Sequence, residues 1–263
     1  MDFETIIYAV RPPIAELVLD RPEAGNTFTP QLLAELAEAT ARLATEPGVR
    51  AVVLRGNGEH FCYGANIDMF DGEPRERRPA LIRDLVTTFH QPISRLTRLE
   101  MPVLGVAHGN VAGGGVALLA ACDVVVAGES TTFRLGWPGI GITMDGGSTW
   151  LLPRIIGLHR ALELVYTNRS FTAAEAHAWG LVNWLVPDAD LAKRAEDLAG
   201  MLAGGATRAL GWCKRLMFEG MRESLDGHLE NEAVTLIRSF TTADSDEGFR
   251  AFSEQRPPTF TGE

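Results

Sequence analysis

"HGNVAGGGVALLAACD", residues 108–123, sets three consecutive glycines, Gly113, Gly114 and Gly115, between a β-rich stretch and an apolar helical one. Glycine permits positive φ and lets backbone approach its neighbour closely. The first turn of the following helix leaves amides without intrahelical acceptors, with the positive end of the helix dipole behind them. Such a turn can hold an anion or a developing oxyanion. No Gly-Lys-Ser/Thr follows, so this is not a Walker A loop, and the spacing is not GxGxxG. Tight strand-to-helix packing is the plainer use of the same glycines.

Working outward, strands and helices alternate. "PVLGVAHG" (102–109) reads as a buried strand, preceded by a helical stretch over 78–99 and followed by a helix over 114–121 and the strand "DVVVAG" (123–128). Nearer the N-terminus, "IAELVLDRP" alternates in part and predicts a strand over 14–19. A helix then starts at Thr29, a plausible N-cap, with Pro30 at its first position. Leu32, Leu33, Leu36, Ala39 and Leu43 share one of its faces, Gly48 lies beyond its end, and "VRAVVLRG" (49–56) is a second buried strand. Downstream, "TTFRL" (131–135) and "LVNWLVP" (181–187) read as strands. Helices are expected over 147–157, 159–167 and 172–180, the last with Thr172 as cap and Gly180 as stop. From Asp190 the pattern is helical, with candidate helices at 206–221, 223–240 and 244–254. The expectation is an α/β core over residues 1–200 and a helical region over 201–263, with no flexible linker between them.

The bulk composition narrows the function. Hydrophobic residues make up 46% of the 263 and charged residues 22%, enough for a full core. A net charge of −10 argues against nucleic-acid or anionic-membrane partners, which need a basic footprint. Cys62, Cys122 and Cys213 are odd in number and lack CxxC spacing, which fits free thiols in a reducing compartment. No signal-peptide pattern opens the chain, and the longest apolar run is broken by Gly, His and Asn. A cytoplasmic enzyme is the expected class. His60, His108, His159, His177 and His228 show no metal spacing, so no metal site is expected.

The second informative stretch is "GITMDGGSTW" (141–150), where Asp145 is the one charge. Keeping a lone carboxylate out of water is costly. Asp145 is either the N-cap of a helix beginning near Gly147 or a reacting group.

Six blocks, "DRPEAGNTF" (20–28), "FCYGANI" (61–67), the glycine run, "TTFRLGWPGIGITMDGGSTWLLPRIIG" (131–157), "AAEAHAWGLVNWLVP" (173–187) and "EGFRAFSEQRPPTFTG" (247–262), occur in an order and spacing that resemble the enoyl-CoA hydratase/isomerase, or crotonase, superfamily. The resemblance covers nearly the whole chain. It implies an α/β fold of ββα repeats wound into a spiral, with a C-terminal helical region that makes homotrimers, often paired into hexamers. It also implies a coenzyme A thioester as substrate, with coenzyme A entering as part of that substrate and no prosthetic group. The amides of Ala65 and Gly114 would grip the thioester carbonyl as an oxyanion hole, and Gly64, Gly113 and Phe89 would border the substrate.

The chain leaves the hydratase pattern at two places. Where hydratases of this family carry glutamates, it has Ala117 and Trp137. Adding water across a double bond needs an acid and a base, so ordinary hydration is not expected. The carboxylate supplied instead is Asp145. Enoyl-CoA isomerases in the family use an aspartate at this place as acid and base. The 4-chlorobenzoyl-CoA dehalogenases resemble the chain at more positions: a tryptophan eight residues before the aspartate, as Trp137 is, and a histidine twelve residues before the proline of "PVL", as His90 is before Pro102. The implied roles are Asp145 as nucleophile, Trp137 as its orienting partner and His90 as the base that activates water.

Departures from the dehalogenase pattern are also plain. Ala65 stands where that enzyme has a phenylalanine donor, and Ile82 where it has another ring, leaving Phe89 and Trp137 as aromatic walls, with Phe61 or Tyr63 as further candidates. Arg75, Arg77 and Arg78 in an exposed loop could meet coenzyme A phosphates. Phe249, Phe252 and Arg256 could reach a neighbour's ligand, by analogy with the family. The readings that stay open are Asp145-nucleophile hydrolysis, double-bond isomerisation by Asp145, and an acyl-CoA-binding scaffold without chemistry.

Overall fold

The structure, a computed structural model, describes residues 3–263. Along the chain the strands are β1 (Ile6–Arg11), β2 (Ile14–Leu19), β3 (Ala51–Gly56), β4 (Val103–Ala107), β5 (Asn110–Ala112), β6 (Val124–Gly128), β7 (Thr132–Arg134), β8 (Ser170–Thr172) and β9 (Trp184–Val186). They form two sheets, one in the order β1-β2-β3-β4-β6-β9 and a small one in the order β5-β7-β8. β1 and β2 pair antiparallel, with Ile6 opposite Leu19; every later pair in the large sheet is parallel. Successive passes thus lay one strand in the large sheet and the next in the small one, as β4 then β5 and β6 then β7. This is the spiral of ββα repeats that the family resemblance implies.

The helices are α1 (Pro30–Leu43), α2 (Arg78–Leu96), α3 (Gly114–Ala120), α4 (Ser148–Ile155), α5 (Leu158–Thr167), α6 (Ala173–Trp179), α7 (Leu191–Ala203), α8 (Thr207–Gly220), α9 (Leu225–Ser239) and α10 (Ala243–Ser253). Every residue of β4 is buried, as expected for a parallel strand covered on both faces. Alternation divides the strands between two cores. Val52, Leu54, Val103 and Ala107 join the main core with α1 and α3. Val53, Leu104, Val106 and Val126 face Leu191, Ala195, Leu198 and Ala199 of α7. Helix α7 runs through residue 200, and from it onward every element is helical.

Helix α8 is tied to the core by a partly buried ion pair. Lys214 Nζ of α8 donates to Asp123 Oδ2 at 2.8 Å and to the carbonyl of Leu96 at 2.9 Å, while the Val103 amide donates to the same Asp123 oxygen at 2.7 Å. Burial pushes the Asp123 carboxyl up and Lys214 pulls it down. By contrast α9 and α10 leave Leu225, Val234, Ile237 and Phe252 exposed, as is Phe240 just after α9.

Three strands escape the sequence reading. β1 becomes a strand through its hairpin with β2, and β5 and β8 are three residues each, too short to show a period. A further correction concerns Asp145. It does not cap α4: that N-cap is Gly147, at φ 72°, and no side chain bonds to the helix start. The Asp145 backbone carbonyl accepts from the amide and hydroxyl of Ser148, which frees its carboxylate to point elsewhere.

Candidate active site

Two turns meet because two segments run in register. Residues 61–65 extend the small sheet through parallel bridges between Cys62 and Val111 and between Phe28 and Ala65. The Phe61 amide donates to the carbonyl of His108 and the Ala112 amide to that of Cys62. Both segments therefore leave the sheet at the same end, and Gly64 lands against Gly114. A Cβ on Gly64 would stand 2.7 Å from the Gly114 nitrogen, so only glycine allows this approach. Gly113 turns the chain into α3 with φ 51° and ψ −126°, a conformation closed to side-chain-bearing residues.

The amides of these turns are nearly all committed. From Phe61 to Asn66 they donate in turn to the His108 carbonyl, the Asn110 carbonyl, the Gly25 carbonyl, the Cys62 sulfur and, at Asn66, the Phe28 carbonyl. Ala65 is the exception: among the described residues its amide has no acceptor. In the second turn Gly113 donates to the Arg134 carbonyl, and Val116 and Ala117 to that of Gly113, while Gly114 and Gly115 have none. The Ala65 and Gly114 amides are thus available as donors, and the glycine contact holds their two turns together.

Asp145 approaches the same place from a third turn. Trp137 Nε1 donates to Asp145 Oδ1 at 3.0 Å. The next residue, Gly146, donates its amide to His90 Nε2 at 3.3 Å. A Cβ on Gly146 would lie 2.4 Å from the Phe89 ring and 2.9 Å from the Ala117 Cβ; one on Gly114 would lie 2.5 Å from Phe28 and 3.5 Å from Phe89. Phe89 is therefore wedged between the glycine turn and the Asp145 turn. Its ring lies 4.8 Å from that of Phe28, centroid to centroid. Asp145 is half-buried, and burial raises its carboxyl above the ordinary aspartate value, opposed by the Trp137 hydrogen bond and by His90.

The structure brings Asp145, Trp137, His90, Phe89, Ala65, Gly64, Gly113 and Gly114 to one locality. It explains Ala117 as well. That residue is fully buried one turn into α3, and its Cβ packs against Gly146, where an added Cβ would lie 2.9 Å away. Sequence reasoning did not single out Phe28, the residue that packs on Gly114, although it closes the "DRPEAGNTF" block.

The other candidates make contacts of their own or face solvent. Phe61 is fully buried in the main core. The Tyr63 hydroxyl accepts from Asn110, and its ring lies against His60. Ile82, Phe249 and Phe252 are exposed, as are Arg75, Arg77 and Arg78. Arg256 is paired with Glu247 and Glu254 of its own α10 region, and it holds the Glu247 carboxyl down to about 2. His108 bonds to the Gly58 carbonyl, and burial pushes its pKa down.

A family profile described as enoyl-CoA hydratase/isomerase matches residues 11–263. The chain is 33% identical over 259 residues to 1,2-epoxyphenylacetyl-CoA isomerase of Escherichia coli (strain K12), covering 98% of this chain and 99% of that one. It is 35% identical over 226 residues to 4-chlorobenzoyl coenzyme A dehalogenase-2 of an Arthrobacter species, covering 86% of this chain and 82% of that one. Among solved structures, an enoyl-CoA hydratase from Bacillus anthracis matches with a TM-score of 0.92 at 32% identity, over 99% of this chain and all (100%) of that one. The protein is a member of the enoyl-CoA hydratase/isomerase, or crotonase, family.

Proposed function

We propose that this acyl-CoA enzyme polarises a thioester carbonyl with the Ala65 and Gly114 amides and uses Asp145 as a nucleophile in dehalogenase-like hydrolytic chemistry. The observation that carries the reading is the Trp137–Asp145 hydrogen bond beside two uncommitted amides. Negative charge developing on the thioester oxygen would be met by fixed donors, each worth about 2.7–4 kcal/mol in such sites. The Asp145 carboxylate would attack the activated ring carbon, the halide would leave with the bonding pair, and an ester on Asp145 would remain. His90, next to the Asp145–Gly146 turn, would activate the water that hydrolyses it. The hydratase pattern is set aside in this reading because its two glutamate positions are Ala117 and Trp137 here.

One observation favours a second reading. His90 Nε2 already accepts the Gly146 amide, so it serves the aspartate's turn as it stands. Asp145 could then work alone as acid and base in double-bond isomerisation, the class named for the Escherichia coli relative. Mass spectrometry of the protein mixed with 4-chlorobenzoyl-CoA, and separately with a 3-enoyl-CoA, separates the two. An aroyl-CoA ester on Asp145 supports the nucleophile. Isomer formation without an adduct supports the acid/base role, and turnover of neither returns the site to a binding scaffold.

The exposed apolar side chains of α9 and α10 support assembly into a homotrimer or a pair of trimers, which light scattering after size exclusion would test. No helix among the described residues is long and apolar enough to cross a membrane, and a cytoplasmic location agrees with the three free thiols.

A further inference from the structure

The Ala65 amide is offered because its neighbour's amide is not. Gly64 is buried and its N–H needs a partner. The partner is the Cys62 sulfur, at 3.2 Å. The same thiol donates its own hydrogen to the Asn26 carbonyl at 3.1 Å, which turns its lone pairs toward Gly64. Asn26 is tied in place: it is fully buried, and its side-chain amide donates to the carbonyls of Asn57, His60 and Phe61. Cys62 also reaches the second turn. Its carbonyl accepts the Ala112 amide, and a Cβ on Gly115 would meet that carbonyl oxygen at 2.5 Å.

We infer that Cys62 is a positioning residue for the oxyanion pocket: its thiol holds the Gly64 amide inward, so that this turn presents the Ala65 amide alone. The inference rests on the reading that Ala65 and Gly114 bind the thioester oxygen. Without the sulfur, the Gly64 amide is a free buried donor next to Ala65, and the peptide planes of the turn lose the tie to Asn26 that fixes their direction. The thiol stays protonated, as its bond to Asn26 requires, because burial pushes it up to about 12. Cys62 therefore acts as a hydrogen-bond relay and takes no part in covalent chemistry.

The test uses the full chain with Cys62→Ala and Cys62→Ser. Amide exchange followed by NMR reads the geometry. The Gly64 amide is expected to exchange at least about tenfold faster in Cys62→Ala, the equivalent of one lost hydrogen bond, while the Val103 amide, bonded to Asp123, is unchanged. The stretching frequency of the carbonyl in bound 13C-labelled benzoyl-CoA reads the function. Cys62→Ala is expected to keep its affinity for free coenzyme A within about twofold and to lose much of the carbonyl downshift, with Cys62→Ser restoring it. A packing role alone would leave that frequency where it is. Should the alanine variant lose its fold, Cys62→Val fills the space without a lone pair and is read the same way. An equal downshift in the wild type and the folded non-bonding variant would overturn the proposal. A wild type with no downshift would instead remove the acyl-CoA reading on which it stands, and the Gly64 exchange rate would still report whether the thiol holds the amide.

Discussion

The amide of Gly146 donates to Nε2 of His90 at 3.3 Å, so in the neutral ring the proton sits on Nδ1. The imidazole nitrogen that could take a proton from water is the one that holds the Asp145 turn. Hydrolysis through His90 must release that bond, whereas chemistry by Asp145 alone keeps it. The two readings of the site differ on this single contact.

His90→Gln exploits the difference. The glutamine oxygen can still accept the Gly146 amide but cannot act as a base. On the hydrolytic route the Asp145 ester is expected to form and to persist, with its breakdown slowed about 10²-fold or more. Rapid quench followed by peptide mass spectrometry measures it. Unchanged turnover of 4-chlorobenzoyl-CoA without a detectable ester would remove His90 from the reaction.

Trp137→Phe removes the hydrogen bond that favours the Asp145 carboxylate while leaving the turn buried. The Asp145 pKa is expected to rise further, because burial then acts with less opposition. Both readings require the carboxylate as the starting form. The acidic limb of the kcat/KM profile should therefore move to higher pH, and activity at neutral pH should fall. A limb that stays in place would show that Asp145 ionisation does not control it.

Asp145→Asn is expected to abolish activity and to raise stability at neutral pH. Burial lifts the folded-state pKa of Asp145 above the unfolded value near ~3.9, so folding favours the protonated acid. The contribution of this group to stability is present below ~3.9 and is lost as pH rises through the folded pKa. The asparagine variant, which can still accept from Trp137, avoids that loss. Its gain in Tm should be seen at pH 7 and should vanish toward pH 3. A wild type that is the more stable of the two at pH 7 would contradict the raised pKa.

Lys214→Met breaks the ion pair that joins α8 to the core and leaves the partly buried Asp123 without its cation. Removing one partner of a fully buried pair costs about 3–5 kcal/mol, and the solvent contact that both side chains keep here lowers the loss below that. Calorimetry should show a large loss for this variant and a smaller one when Asp123→Asn is added. Equal losses would mean that the pair is not coupled.

How far the sequence could be read depends on where each instruction lies. Both ends of α6 are set locally, by the reciprocal bonds of Thr172 and Glu175 and by Gly180 at φ 91°, and the reading over 172–180 ended within a residue of them. The starts of α9 and α10 are likewise set locally, by the Ser224 and Thr242 caps. β5 and β8 were not, since three residues become a strand only through the neighbour they pair with. Asp145 shows the limit within the site. Its local surroundings suit an N-cap as well as a reacting group, and the decision came from Trp137, carried to it by the turn between Gly136 and Gly141. The approach of Gly64 to Gly114 depends likewise on a parallel pairing between segments some fifty positions apart (Cys62 with Val111), which no local pattern encodes. The motif blocks supplied it through family resemblance.

The most direct measurement is a crystal structure of the Asp145→Asn variant with an aroyl-CoA bound. The expected result has the thioester oxygen within about 3 Å of both the Ala65 and Gly114 nitrogens, with residue 145 facing the acyl group from beside Trp137. A thioester oxygen bound by other donors, or an acyl chain directed away from residue 145, would contradict the mechanism at its root.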